Sequence, residues 1–155
     1  MSEGKHNGGD PVTPPDANQI KLVESSWEKL ASNLDELASL FYQSLFELAP
    51  EIKPLFENTD MVQQGKKLTD TLTVAVKGLQ FFPALVPALA ELGNRHVAYG
   101  VKHEHYSAVR SALLTALNKV LGDSFDQQTA EAWKTTYDAL AQVMKRGLRE
   151  RPEPV

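Results

Sequence analysis

Apolar side chains recur along this chain every three to four residues, the period of a helix that buries one face against a core. Ile20, Val23, Trp27 and Leu30 fall on one such face, with Leu22 and Ser26 beside it. Leu37, Leu40, Phe41, Leu45 and Leu48 form the expected buried stripe of a second helix running from about Leu34 through Phe46. Leu68, Leu72, Ala75, Val76 and Leu79 mark a longer third helix. Val109, Leu113, Leu114, Leu117 and Val120 mark another between His103 and Val120, and Ala130, Trp133, Tyr137, Leu140, Val143 and Met144 mark the last. No stretch alternates with a period of two and no Asn-Gly turn joins apolar strands, so the pattern predicts an all-α domain.

Helix breakers divide the pattern. Thr13-Pro14-Pro15-Asp16 reads as a helix start, with Thr13 as the cap, Pro14 at the first helical position and Asp16 at the positive end of the helix dipole. Pro50 and Pro54 confine the next segment to a short, tight helical turn ending at Leu55-Phe56. Pro83 to Tyr99 is expected to form one or two shorter helices stopped by Gly100. Leu121-Gly122 closes the penultimate helix, and Ser124 or Asp126 opens the last, whose basic end (Lys145, Arg146, Arg149) suits a helix carboxyl terminus. Residues 1–15, rich in Gly, Pro, Asn and Asp, read as a tail, 16–149 as one domain and 150–155 as a second tail.

Composition narrows the function classes. A chain of 155 residues suits one domain with one core and a ligand pocket inside it. A net charge of −4, with no basic stripe, argues against nucleic acid as a partner. The absence of cysteine excludes disulfides, a thiolate nucleophile and thiolate-held zinc or iron–sulfur clusters, so a metal here depends on His, Tyr or carboxylate. Pro83 and Pro87 interrupt the richest apolar stretch, Leu79 to Leu92, short of the ~18 residues needed to span a bilayer. Met1-Ser2-Glu3-Gly4-Lys5-His6 lacks the apolar centre of a secretory signal, so no membrane partner and a cytoplasmic location are expected.

His96, near the end of a helical apolar pattern, is the residue with most chemistry to offer; alone, such a histidine is an ordinary helix residue. His103-Glu104-His105 is a weaker metal candidate, because histidines two apart on a helix point in different directions; a solvated helix start is the better reading.

Six segments change the reading of His96: Trp27; Phe41 through Phe46; Pro50 through Phe56; Gln64 through Leu68; Leu92 through Val101; and Ala132 through Tyr137. In that order and spacing they resemble the globins over about residues 16–148, with the single-domain bacterial globins and the neuroglobins as the nearest types. The resemblance implies seven to eight helices enclosing haem b (iron protoporphyrin IX), with His96 as the proximal iron ligand. It implies that Phe56 packs on the porphyrin, and that Leu92, Val101, Tyr106, Val109 and Tyr137 line the haem pocket. Tyr42, Gln64 and Leu68 match the distal positions, where the hydroxyl and amide can donate to a ligand in the sixth position; Gln63 is a rival to Gln64 if the corner is shifted by one residue. Lys67 and Arg95 match positions that approach the propionates.

Two departures from relatives bear on function. Neuroglobins have an iron-binding histidine where Gln64 stands, and an amide is a poor iron ligand, so an open or water-filled sixth position is expected. Flavohaemoglobin-like proteins support the proximal histidine with a tyrosine and a glutamate; Tyr106 matches the first, but Leu148 occupies the place of the second, which disfavours peroxidase-like chemistry. The resemblance implies reversible binding of dioxygen, with NO and CO as further ligands and a monomer or weak homodimer as the assembly. The alternatives are a nitric oxide dioxygenase or nitrite reductase served by a separate reductase, since no Gly-rich flavin or nicotinamide segment is present, and a helical interaction module without haem.

Overall fold

The computed structural model describes residues 12–98, 100–102 and 104–150, the side chains of 97, 98 and 146–150 excepted. Residues 1–11 and 151–155 of the expected tails, His103, and the side chain of Leu148 lie outside what is described. Val12 packs half-buried against the core, and Pro15 is buried.

Six α-helices follow in order: α1 (Ala17–Lys29), α2 (Leu34–Leu48), α3 (Met61–Lys77), α4 (Phe82–Ala98), α5 (His105–Leu121) and α6 (Gln127–Glu150). Short 3-10 turns cover Pro50–Phe56, Leu79–Phe81 and Gly122–Ser124, and the described residues include no strand. The all-α expectation holds, and the Pro50–Phe56 turn sits where the two prolines predicted it.

Asp16, not Thr13, caps α1. Its carboxylate accepts the Gln19 N–H at 2.8 Å while the Gln19 side chain accepts the Asp16 N–H at 3.0 Å. This reciprocal pair satisfies two amide donors at once, and Pro14-Pro15, having no N–H to offer, stays ahead of the helix. Pro83 to Ala98 is part of one helix although Pro87 lies within it. Pro83 falls in the first turn, where its missing N–H would have no helical partner, and the carbonyl that Pro87 leaves unpaired belongs to exposed Pro83, where water reaches it. Leu79 falls beyond α3, after Gly78. Leu48, the last residue of α2, leaves the expected stripe and is 54% exposed, while the next residue, Ala49, is buried. Asp126 opens α6 by accepting the Thr129 N–H at 2.8 Å, while Ser124 lies in the preceding turn.

α2 packs on α5, and α1 and α4 pack on α6. Trp27 and Trp133 meet at 5.9 Å between ring centroids, and Trp133 Nε1–H donates to Ser26 Oγ at 2.8 Å inside the core. α3 has α2 and α1 as its main neighbours, whereas α4 has α6. These successive helices therefore diverge, turning through 56° at their junction. Among the described residues no single helix is long and apolar enough to cross a membrane.

Candidate functional site

The site residues fall into three groups. The first is built on α2, the Pro50–Phe56 turn and the start of α3. Tyr42 is 8% exposed, and Phe46 and Phe56 lie 5.9 and 5.6 Å from its ring. Gln64 Nε2–H donates to the Tyr42 hydroxyl at 3.1 Å. Burial pushes the Tyr42 phenol above its ordinary value, against a smaller opposing pull from Gln64, so it carries its proton at neutral pH. An O–H that already accepts from Gln64 still has its own proton to donate. Gln63 is exposed, whereas Gln64 is half-buried and is the one of the two that reaches Tyr42.

α3 is held in this position by two local devices. Asp60 caps it, accepting the Val62 and Gln63 N–H groups at 3.0 and 3.3 Å. Gly65 lets α3 approach α2 closely: a Cβ there would stand 3.0 Å from that of Ala38. Gly65 is a contributor that sequence reasoning missed, although an interior helical glycine is itself a signal of close approach. Leu68, one turn beyond Gln64, is half-buried against the core. An apolar cleft of ≈ 410 Å³ opens beside Phe56, between Phe46, Pro50, Pro54 and Met61.

The second group is the end of α4. His96 Nδ1 lies 2.9 Å from the Leu92 carbonyl oxygen. With Nδ1–H donating there, Nε2 keeps its lone pair, the arrangement a histidine needs to ligate a metal. Burial holds the imidazole below the usual histidine value; the Leu92 carbonyl opposes that shift, and the charge of Arg95 adds to it. The ring is therefore neutral at pH 7. The His96 carbonyl accepts the Val101 N–H at 2.9 Å, with Gly100 between them at φ +93°, a backbone region that favours glycine. The helix stop foreseen at Gly100 is thus also what closes the turn that carries His96. Leu92 and Val101 are half-buried, Arg95 is exposed, and Lys67 on α3 is exposed as well.

The third group joins α5 to α6. Tyr137 Oη–H donates to the Tyr106 backbone carbonyl at 2.8 Å, and Lys145 Nζ lies 5.2 Å from the centre of the Tyr106 ring. Tyr106 is buried; Val109 is half-buried on the same helix. Close to Tyr106, His105 departs from the solvated reading. It is 5% exposed, its Nδ1 accepts the Lys102 N–H at 3.1 Å, and its Nε2 lies 3.4 Å from Glu51 Oε2. Both ring nitrogens have protein partners, so His105 ties the start of α5 to the Pro50–Phe56 turn. No group of three or more metal-ligating side chains occurs among the described residues.

The sequence and the fold have counterparts among known proteins. The family model described as "Globin" matches residues 39–144. Leghemoglobin of Medicago sativa is 28% identical over 142 residues, 85% of this chain and 97% of that protein. A flavohemoprotein of Oceanobacillus iheyensis is 27% identical over 130 residues, 83% of this chain but 32% of that longer protein. Among solved structures, a bacterial globin from Campylobacter jejuni is 27% identical with a TM-score of 0.76, covering 88% of this chain and all (100%) of that one. A hexacoordinated heme protein from an anhydrobiotic tardigrade shares the fold at a TM-score of 0.80, covering 92% of this chain and 100% of its own, with 19% identity.

Proposed function

The chain belongs to the globin family, whose fold binds haem, and from that premise we propose that it holds haem b through His96 and binds dioxygen reversibly. The observation that carries this reading is the setting of His96: its Nδ1 is oriented by the Leu92 carbonyl at 2.9 Å, which leaves the Nε2 lone pair available. His96 would hold the haem, which if bound would supply an iron able to take a diatomic gas. A flat apolar ring also suits its surroundings. Phe56, Leu68, Leu92, Val101 and Val109 are only partly covered although each packs against the core, and α3 and α4 lean on different neighbours.

The chain's own groups define the gas side. Tyr42 offers a buried hydroxyl proton to a polar ligand, and Gln64 holds that hydroxyl in place. Such a donor favours dioxygen, which accepts hydrogen bonds, over carbon monoxide, which accepts them poorly. Tyr106 and Tyr137 brace the α5–α6 side of the pocket, and exposed Lys67 and Arg95 are the cations available to the propionates. Within this reading the domain is residues 16–149, acting as a monomer or weak homodimer in the cytoplasm.

Likeness to a flavohemoprotein favours one second reading, nitric oxide dioxygenation or nitrite reduction at the same site with electrons from a separate reductase. Spectra of the purified chain test the first reading. A Soret band that His96→Ala abolishes, and a stable oxygenated form, are the expected results; a chain that shows no Soret band even after haem is added refutes it. Rapid NO consumption by the oxygenated form, sustained by a reductant, would move the function to the second reading.

A further inference from the structure

Gly93 lies in the interior of α4, three residues before His96, where glycine is among the poorest helix formers. Its neighbour explains its presence. A Cβ at this position would come 2.4 Å from the Met144 carbonyl oxygen and 3.0 Å from the Met144 carbonyl carbon and Cα. These are main-chain atoms of α6, which cannot swing aside as a side chain can. α4 and α6 therefore touch backbone to backbone here.

The peptide unit that ends at Gly93 begins at Leu92, and its oxygen is the one that His96 Nδ1 approaches at 2.9 Å. The carbonyl that orients the imidazole is thus covalently joined to the α-carbon pressed on α6. Beyond the histidine, the Val101 N–H closes on the His96 carbonyl at 2.9 Å. The turn is held at both ends, and the Gly93 end lies at main-chain distance from another helix.

We propose that Gly93 is a positioning residue for the proximal histidine. Its contact with the Met144 carbonyl fixes the Leu92 carbonyl, and through it the plane and depth of the His96 ring. This sets how closely Nε2 can be drawn to the haem iron, an inference that rests on the haem-binding reading above. A glycine that served only to let two helices pack would influence stability and leave the iron–histidine bond alone.

Resonance Raman spectra of the ferrous, haem-loaded full chain separate these roles, because the iron–histidine stretching band reports that bond directly. Gly93→Ala should keep the Soret band and displace the iron–histidine band. Met144→Ala, which thins the packing of that turn of α6 without adding a Cβ, should broaden it. Leu117→Ala, at a fully buried position on α5, should lower stability and leave the band unchanged. An unmoved band in Gly93→Ala with the Soret band intact overturns the proposal and leaves the haem reading standing. Equal displacement in Leu117→Ala overturns it as well, by assigning the effect to general loosening. If Gly93→Ala takes up no haem, Met144→Ala decides, and an unaltered band there overturns the proposal. Absence of a Soret band in the unsubstituted chain refutes the haem reading itself.

Discussion

Gln64 donates its side-chain amide to the hydroxyl of Tyr42 at 3.1 Å, joining α3 to α2 through the phenol. In the proposed dioxygen-binding reading, that bond makes Tyr42 the donor to the ligand and Gln64 the group that holds it. Tyr42→Phe removes the donor and should speed dioxygen release roughly tenfold, the effect of losing about 1.4 kcal/mol. Gln64→Leu removes the group that holds the donor and should speed it roughly fivefold, for about 1 kcal/mol. In the double variant the effects should not add, because Gln64 has nothing to hold once the hydroxyl is gone. Stopped-flow displacement of dioxygen by carbon monoxide measures all three; additive effects would mean that Gln64 contacts the ligand independently.

Asp60 caps α3 and supports the turn that carries Gln64. Its carboxylate accepts two amide N–H groups, and its carbonyl accepts the Gln64 N–H at 2.9 Å. Asp60→Ala should cost about 1 kcal/mol of stability, the usual consequence of losing such a cap. It should also quicken dioxygen release, because a frayed first turn loosens Gln64. Urea unfolding and the same release kinetics check both halves; a stability loss with unaltered kinetics would limit Asp60 to a structural role.

In the core, Trp133 and Ser26 link the last helix to the first. Ser26 Oγ accepts the indole N–H, and its one O–H is shared between carbonyls of the previous turn, Leu22 at 2.8 Å and Val23 at 2.9 Å. Ser26→Ala leaves a buried N–H without a partner, which costs about 1–3 kcal/mol. Urea denaturation of Ser26→Ala should show that loss at an unchanged slope, and adding Trp133→Phe should cost less than it does in the parent, since no donor then remains to satisfy.

Alkaline pH should weaken the fold through its tyrosines. Burial is the first cause that pushes Tyr42, Tyr106 and Tyr137 above the ordinary value of 10.0, with nearby Tyr106 and Asp138 adding to the rise at Tyr137 and Arg110 opposing it. The unfolded chain ionises these phenols at about pH 10 while the folded chain still holds them protonated. Their contribution is complete below that pH and is lost as pH rises toward and through the folded values. The urea midpoint should therefore fall from about pH 9 to about pH 11, and Tyr137→Phe should flatten the decline. Tyrosinate absorbance should appear together with unfolding; a gradual rise in the folded protein would contradict the burial argument.

The Pro50–Phe56 turn and the stop at Gly100 were legible because proline and glycine act on the backbone locally. The cap of α1 lies three residues beyond Thr13 because both Thr13 and Asp16 can cap, and the Gln19 side chain, reaching back to the Asp16 N–H, decides between them. Pro87 leaves one helix or two open between Pro83 and Tyr99, since the sequence does not show that the affected carbonyl faces water. His105 was read as solvated because Glu51, its partner, lies far away along the chain.

What the sequence by itself determined was the helical period, the breaks between helices, and the candidate residues for the site, each a property of nearest neighbours or of ordered spacing. What only the tertiary structure decided was which of those residues meet. The Gln64–Tyr42 bond, the Tyr137–Tyr106 brace and the pressing of Gly93 on Met144 all join positions distant in sequence. A helical pattern shows which face is buried, but the neighbour that buries it depends on how whole helices cross. The roles of Gly65 and Gly93 come from such crossings, at places where a side chain would have kept two backbones apart.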